Sequence, residues 1–287
     1  MKFTVIGGDM RQAKLAELLA EDGHEVTVFA LDKLRLDAGV SHAPTARDAV
    51  QSAQCVILPL PATSKEGILN APLSAGLHTT REIVSVLERD QLICGGRIDD
   101  AARELMRSMG LCFTDYFERE ELAVLNAGIT AEGAIQLIME ETPFTVSGAR
   151  ILVIGHGRIG RLVSAKLKAL GANVTVSARK CSDLSWIQAS GMTGVPTGEI
   201  DALLPYFDVV VNTVPARVLS EERLRLLRRG SLCLDLASKP GGMDFAAAAR
   251  LGIKAVWALS LPGEVAPVTS GAAIRDTIYH IIGEMRC

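Results

Sequence analysis

Ile151-Leu152-Val153-Ile154 runs directly into Gly155-His156-Gly157-Arg158-Ile159-Gly160, and this stretch decides the fold. Four apolar, mostly β-branched residues read as a buried strand. Ile159, Leu162, Val163, Lys166, Leu167 and Leu170 recur at helical spacing after the turn. Val174-Thr175-Val176-Ser177 then gives a second strand at the distance a βαβ unit requires. A G-x-G-x-x-G alone is a weak signal; one framed by strand and helix is strong. Gly155 permits the tight turn, Gly157 lets backbone amides approach a pyrophosphate, and Gly160 lets helix and strand pack closely. Gly155, His156, Gly157, Arg158, Ile159 and Gly160 are therefore candidate cofactor-binding residues at a helix N-terminus.

The end of the second strand sets the cofactor. A NAD site places an acid there for the ribose hydroxyls. Here Ser177-Ala178-Arg179-Lys180 follows, with no carboxylate before Asp183. Ser177, Arg179 and Lys180 suit a 2′-phosphate, so NADP(H) is preferred and NAD(H) is the second choice. Two later strand ends face the same crevice by the rule that ligands bind at the C-terminal ends of parallel strands. They are Asn212-Thr213-Val214-Pro215 and Asp235-Leu236-Ala237-Ser238-Lys239-Pro240-Gly241-Gly242. Thr213, Val214, Pro215 and Ser238 join the cofactor candidates, and generic strand-to-helix turns are the bland alternative.

Outward from this core, the strand–helix alternation extends both ways. Val209–Asn212, Leu232–Asp235 and Ala255–Ala258 are further strands. Upstream, Phe3–Ile6, Glu25–Ala30, Cys55–Leu58, Leu92–Cys94 and Leu111–Phe113 repeat the pattern around Gly7-Gly8. Arg119–Glu141 is a long helical stretch, with an interruption expected at Gly128 and a stop at Thr142-Pro143. The expected fold is α/β: two doubly wound, parallel-sheet, Rossmann-like domains joined by a long helix. The last helix, from about Thr269, is expected to return to the first domain. Residues 1–142, with 267–287, form an N-terminal substrate domain on this reading; residues 143–266 form the NADP-binding domain. Leu261-Pro262-Gly263 reads as a rigid loop.

Composition agrees with an ordinary globular chain. Of 287 residues, 48% are hydrophobic and 22% charged, which excludes a disordered chain. Thirty Lys and Arg against 33 Asp and Glu leave a net charge of −3, without the basic footprint of a nucleic-acid binder. Mean hydropathy is +0.26, yet no run of 18 uncharged apolar residues exists. No membrane partner is expected, and the cytoplasm is the default location. Cys55, Cys94, Cys112, Cys181, Cys233 and Cys287 are scattered, without metal-ligand spacing, so no metal is expected. They read as small buried hydrophobes in a reducing compartment.

Gly7-Gly8-Asp9-Met10-Arg11 lacks the three-glycine spacing and is not assigned a dinucleotide. Its domain more naturally serves the substrate. Arg11 is a candidate anion clamp, and Thr63 and Ser64, after Pro59-Leu60-Pro61-Ala62, are candidate hydroxyl donors. No histidine sits just before Leu261-Pro262-Gly263, where a 2-hydroxyacid dehydrogenase places its general acid, so reduction of a ketone is poorly supported. The catalytic residue stays unassigned.

Several of these stretches resemble a known family, nearly end to end. Val5-Ile6-Gly7-Gly8-Asp9-Met10-Arg11-Gln12, Leu58-Pro59-Leu60-Pro61-Ala62-Thr63 and Thr130-Ala131-Glu132-Gly133-Ala134 look like the dipicolinate synthase A chain of endospore-forming bacteria. So do the glycine fingerprint, Leu234–Phe245 and Leu261-Pro262-Gly263-Glu264-Val265-Ala266-Pro267-Val268-Thr269-Ser270-Gly271. Lys239 departs from the Arg of some relatives, and Glu264 stands at a variable position. The resemblance implies oxidation of dihydrodipicolinate to dipicolinate with NADP⁺ or NAD⁺. It also implies the dipicolinate synthase B chain, smaller and flavoprotein-like, as partner, and a role in the mother cell of a sporulating bacterium. A homo-oligomer is compatible with it. A small dicarboxylate needs cationic or hydroxyl donors, for which Arg11, Thr63, Ser64, Lys239 and Thr269 are the candidates. Two other readings remain at this point: a methylenetetrahydrofolate dehydrogenase-like enzyme, and a nucleotide-sensing protein without turnover.

Overall fold

Alternate residues of the strand Arg150–Ile154 face opposite cores. Ile151 and Val153 join one apolar cluster, whereas Leu152 and Ile154 join another. A strand buried on both faces is what a parallel sheet with helices on either side demands. The computed structural model describes residues 1–285 except Ala38 and Glu66. Cys287 lies outside the described residues.

The chain divides into two units, 1–126 with 266–287, and 127–265. The sequence reading set the end of the first domain at 142.

The first unit carries a six-stranded parallel sheet in the order β3-β2-β1-β4-β7-β8. Its strands are β1 (Lys2–Ile6), β2 (Glu25–Phe29), β3 (Val40–His42), β4 (Cys55–Ile57), β7 (Leu92–Gly95) and β8 (Phe113–Asp115). A small antiparallel hairpin, β5 (Thr63–Lys65) and β6 (Ile68–Leu69), stands apart. Helices α1 (Met10–Glu21), α2 (Ala46–Val50), α3 (Thr80–Val84) and α4 (Asp100–Ser108) connect the strands. Helix α5 (Glu120–Glu141) follows, and its first residues belong to this unit.

The second unit repeats the plan in the order β11-β10-β9-β12-β13-β14. Its strands are β9 (Arg150–Ile154), β10 (Asn173–Ala178), β11 (Thr193–Pro196), β12 (Val209–Asn212), β13 (Leu232–Asp235) and β14 (Lys254–Trp257). Helices α6 (Arg158–Ala169), α7 (Cys181–Ala189), α8 (Glu221–Arg225), α9 (Phe245–Arg250) and α10 (Leu261–Val265) lie among them. Helix α11 (Pro267–Met285) returns to the first unit, as the sequence led one to expect. There Ile274, Ile278 and Ile281 share a core with Phe3, Val5, Leu15 and Leu19. Each such fully buried side chain contributes about 1.5–3 kcal/mol. Gly271 makes the approach of α11 to α1 so close that a Cβ there would sit 3.0 Å from Arg11 O and Leu15 N.

Three expectations are corrected. Helix α5 is continuous through Gly128. A mid-helix glycine costs only about 1 kcal/mol, less than the flanking buried Ala127, Ala131 and Ile138 gain. Leu261-Pro262-Gly263 is not a loop but the start of α10, because proline is tolerated in a helix's first turn. Cys112 and Cys181 are exposed, while Cys55, Cys94 and Cys233 are buried. Burial pushes the Cys233 thiol up to about 12, and a hydrogen bond with Cys94, then burial, raises that of Cys55. By length and composition α5 could cross a membrane; nearly half of that window is buried inside the molecule.

Candidate functional site

In each sheet the strand order reverses beside the first strand, between β9 and β12 in the second unit. Ligands of doubly wound sheets bind outside the C-terminal strand ends at such a switch point. The glycine turn sits there. Gly155 has φ +101°, a left-handed conformation, and its N–H donates to Ser177 O at 2.9 Å. A Cβ on Gly155 would lie 2.5 Å from Thr213 Oγ1, and one on Gly160 would lie 2.2 Å from Gly155 O. Both glycines are therefore required by the protein's own packing. Gly157 is different: a Cβ there would meet nothing within 4 Å. It is the N-cap of α6 and has no side chain to accept the free amides of the first turn. Open space above uncapped helix amides is what a pyrophosphate needs, and it fits a dinucleotide.

Thr213 ties the two strands at the switch point, its hydroxyl and its N–H each donating to Ile154 O at 2.9 Å. Val214 is half-buried and Pro215 exposed beside it. His156 lies in the turn, with Nδ1 buried and unpartnered. Burial, then the nearby Arg161 guanidinium, holds its imidazole below the ordinary value. Ile159 packs on the core under the helix. Arg158, in the first turn of α6, is exposed.

At the end of β10, Arg179 and Lys180 are exposed. Neither forms an ion pair among the described residues, and Asp183, the first carboxylate beyond them, is taken by Arg161 at 3.4 Å. Ser177 does not stand with them. It is fully buried, with its Oγ accepting from Thr197 Oγ1 at 3.4 Å, because the C-terminal half of this strand is covered on both faces.

Sequence reasoning did not see what holds the loop after β13. Asp235 is completely buried and accepts Asn212 Nδ2 at 2.8 Å, Ala237 N at 3.0 Å and Gly242 N at 2.7 Å. Asn212, also buried, clasps Val214 through N–H to Oδ1 and Nδ2 to O contacts. This clasp projects Ser238 and Lys239 outward as exposed residues. The signal was present: an acid directly closing a buried strand before Pro-Gly-Gly.

In the first unit two substrate candidates change role. Arg11 is only 6% exposed. It is held by Asp9 (Nη2 to Oδ2, 2.7 Å) and by Leu60 O (2.6 Å), so it is a buried strut between strand ends and not a free anion clamp. Thr63 donates its hydroxyl proton to Asp99 Oδ2 at 2.6 Å, so that proton is committed. Ser64 and, in the first turn of α11, Thr269 are exposed.

Two clefts open in the second unit. One, of about 450 Å³, is lined by Ser147, Asp208 and Arg228 at the opposite strand ends. The other, of about 440 Å³, includes His156, Arg161 and Trp186 along α6 and α7. Among the described residues no group of three His, Cys, Asp or Glu is placed to hold a metal ion.

Comparison with known proteins agrees with this division. Residues 2–117 match the N-terminal domain of the dipicolinate synthase A chain, and residues 129–237 match the NAD binding domain of D-isomer specific 2-hydroxyacid dehydrogenases. The second unit is thus a nicotinamide-dinucleotide domain of dehydrogenase type, and the chain is an oxidoreductase. The fold alone is shared with an L-alanine dehydrogenase, at 17% identity and a TM-score of 0.67. The crystal structure of the dipicolinate synthase A chain from Bacillus halodurans superposes with a TM-score of 0.89 at 30% identity, covering 98% of this chain and 97% of that one. The Bacillus subtilis A chain superposes at 0.87, covering 100% and 97%. In sequence, the dipicolinate synthase A chain of Bacillus subtilis (strain 168) is 32% identical over 100% of this chain and 97% of its own length. With that identity over both full lengths, and the glycine crevice in place, the chain belongs to the family of dipicolinate synthase A chains.

Proposed function

We propose that this chain oxidises dihydrodipicolinate to dipicolinate with NADP⁺ as the preferred acceptor and NAD⁺ as a poorer one. The observation that carries the cofactor half is the second-unit crevice: uncapped amides at Gly157, and two unpaired cations at the end of β10 where a NAD site has an acid. When bound, the nicotinamide supplies a two-electron hydride acceptor. The chain's own task is to hold the phosphates at the α6 N-terminus and the 2′-phosphate at Arg179 and Lys180. In the second unit the clasped loop after β13 presents the Lys239 ammonium as a candidate partner for a carboxylate, and within the first unit the exposed Ser64 and Thr269 hydroxyls are candidate donors.

The substrate loses one hydride to the nicotinamide and one proton to water or a nearby base, and its ring becomes aromatic. Aromatisation supplies driving force, so a strongly placed acid such as a histidine dyad is unnecessary. The same reading assigns the chain to the cytoplasm of the sporulating mother cell, with the flavoprotein-like B chain of the synthase as partner. Co-purification of the two polypeptides tests that partnership.

The cofactor test is the dissociation constant of NADP⁺ and NAD⁺ for wild type and Arg179→Ala. A charge-assisted bond to phosphate is worth about 1.5–3 kcal/mol, so NADP⁺ binding weakens roughly 10- to 150-fold. NAD⁺ binding falls far less. Equal losses would mean that Arg179 does not read the phosphate. NADPH formation with dihydrodipicolinate generated in situ tests the reaction, since a sensor would bind the nucleotide without turnover.

A further inference from the structure

The first unit has the same switch point between β1 and β4, but its crevice is already in use. Gly8 N donates to Asn70 O at 2.8 Å. A Cβ on Gly7 would meet Asn70 O, Leu69 and Ala71 at 3.1–3.2 Å. Just beyond β2, Asp32 accepts the Ser74 hydroxyl at 2.9 Å and the Ala75 amide at 2.8 Å. The Ala75 amide is the largest influence holding the Asp32 carboxyl below its usual range. Ser74 is 5% exposed, and His78 Nε2 lies 2.9 Å from its Oγ. The single hydroxyl proton goes to Asp32, so His78 Nε2 is the donor in that pair. Lys33 N donates to Leu73 O at 3.0 Å, and the Lys33 ammonium reaches Pro72 O at 3.2 Å.

In a dinucleotide site the glycine-turn amides meet pyrophosphate oxygens, and an acid at the end of the second strand meets ribose hydroxyls. Here a backbone carbonyl stands on the first kind of donor and a serine hydroxyl on the second kind of acceptor. The cavity left beside them, lined by Phe29, Asp32, His42, Pro44 and His78, holds about 230 Å³. That is below the roughly 300–1,000 Å³ of ordinary ligand pockets.

We propose that residues Leu69–Ala75 are an internal occupant of the first unit's nucleotide crevice, latched by Ser74 on Asp32, so that each chain binds one dinucleotide only. This rests on the dinucleotide reading of the second unit. Asp32 and Ser74 are positioning residues on this account, and touch no substrate.

Calorimetric titration of NADP⁺ tests the stoichiometry with wild type and Gly157→Asp. No atom crowds a side chain at 157, so that variant folds while placing a carboxylate against the phosphates. The expected result is one site in wild type and none in Gly157→Asp. Two sites in wild type, or one surviving in the variant, would overturn the occupant. No binding by wild type would instead overturn the reading of the second unit.

Proteolysis judges the latch in either case. Chymotryptic cleavage at Leu73 and Leu77 should quicken roughly ten-fold or more in Ser74→Ala and in Asp32→Asn, given one lost charge-assisted bond. Unchanged cleavage in both variants would remove the latch.

Discussion

The turn after β1 and the turn after β9 align residue for residue, and they do opposite things with the same backbone. Gly7 and Gly155 both donate to the neighbouring strand, at 2.8 and 2.9 Å. Each is followed two residues later by the N-cap of a 12-residue helix. In the first unit that cap is Asp9, whose carboxylate accepts Arg11 N and also grips the Arg11 guanidinium. In the second it is Gly157, which has no side chain to accept an amide of the first turn. One turn satisfies its own amides with a fixed negative charge; the other leaves them for an anion from outside. The glycine count is thus a poor guide to binding, and the residue at the cap is a better one.

The most damaging way to break the comparison is Gly160→Val. Its side chain would be driven against Gly155 O, and we expect a loss of about 3 kcal/mol or more together with nucleotide binding, read by thermal melts and titration. Next comes Asp9→Gly, which copies the second cap into the first turn. The cap itself costs little, but Arg11 loses its carboxylate while mostly buried, so about 2 kcal/mol should disappear in a denaturant titration. This variant should still bind no second dinucleotide, because Asn70 O remains on Gly8 N. Gly157→Ala sharpens the contrast from the other side. Stability should fall by less than about 1 kcal/mol, whereas NADP⁺ affinity should fall roughly ten-fold.

The smallest effect is a pH slope. His156 is held below the ordinary imidazole value of 6.5, mainly by burial. The folded state therefore binds this proton less readily than the unfolded chain does. The stability contributed by the neutral ring is complete above pH 6.5 and falls on acidification through that value. His156→Asn should flatten the decline of melting temperature between about pH 7 and about pH 5. His24, shifted the same way by burial and then the N-terminal charge, keeps part of the slope.

Much of the fold was legible because its strands are short runs of Val, Ile and Leu bounded by turns. The strands that escaped notice are edge strands. Thr193-Gly194-Val195-Pro196 carries a glycine and a proline, and Val40-Ser41-His42 is only partly buried. Neither composition signals a strand, and both are tolerated only at a sheet's margin. At the site, the glycine turn and the basic end of β10 could be read directly, since their chemistry is local. Arg11 and Ser177 could not be placed from spacing, because their partners Leu60 and Thr197 lie far away in sequence. The Asp9 half of the Arg11 pair was visible two residues upstream, as a helix-capping acid.

The Asp235 clasp has a consequence for which residues can replace it. Three N–H groups converge on one carboxylate; two are backbone amides that can only donate, and the third, from Asn212, could offer its oxygen only by flipping away from both of its bonds to Val214. An asparagine of the same shape would bring its own amide hydrogens against at least one of them. The nearest isostere is therefore a mismatch of polarity, and a smaller, neutral residue leaves the same donors stranded in a dry interior. The loop that presents Lys239 is keyed to a lock with one sign, so its geometry survives only as long as that single carboxylate does.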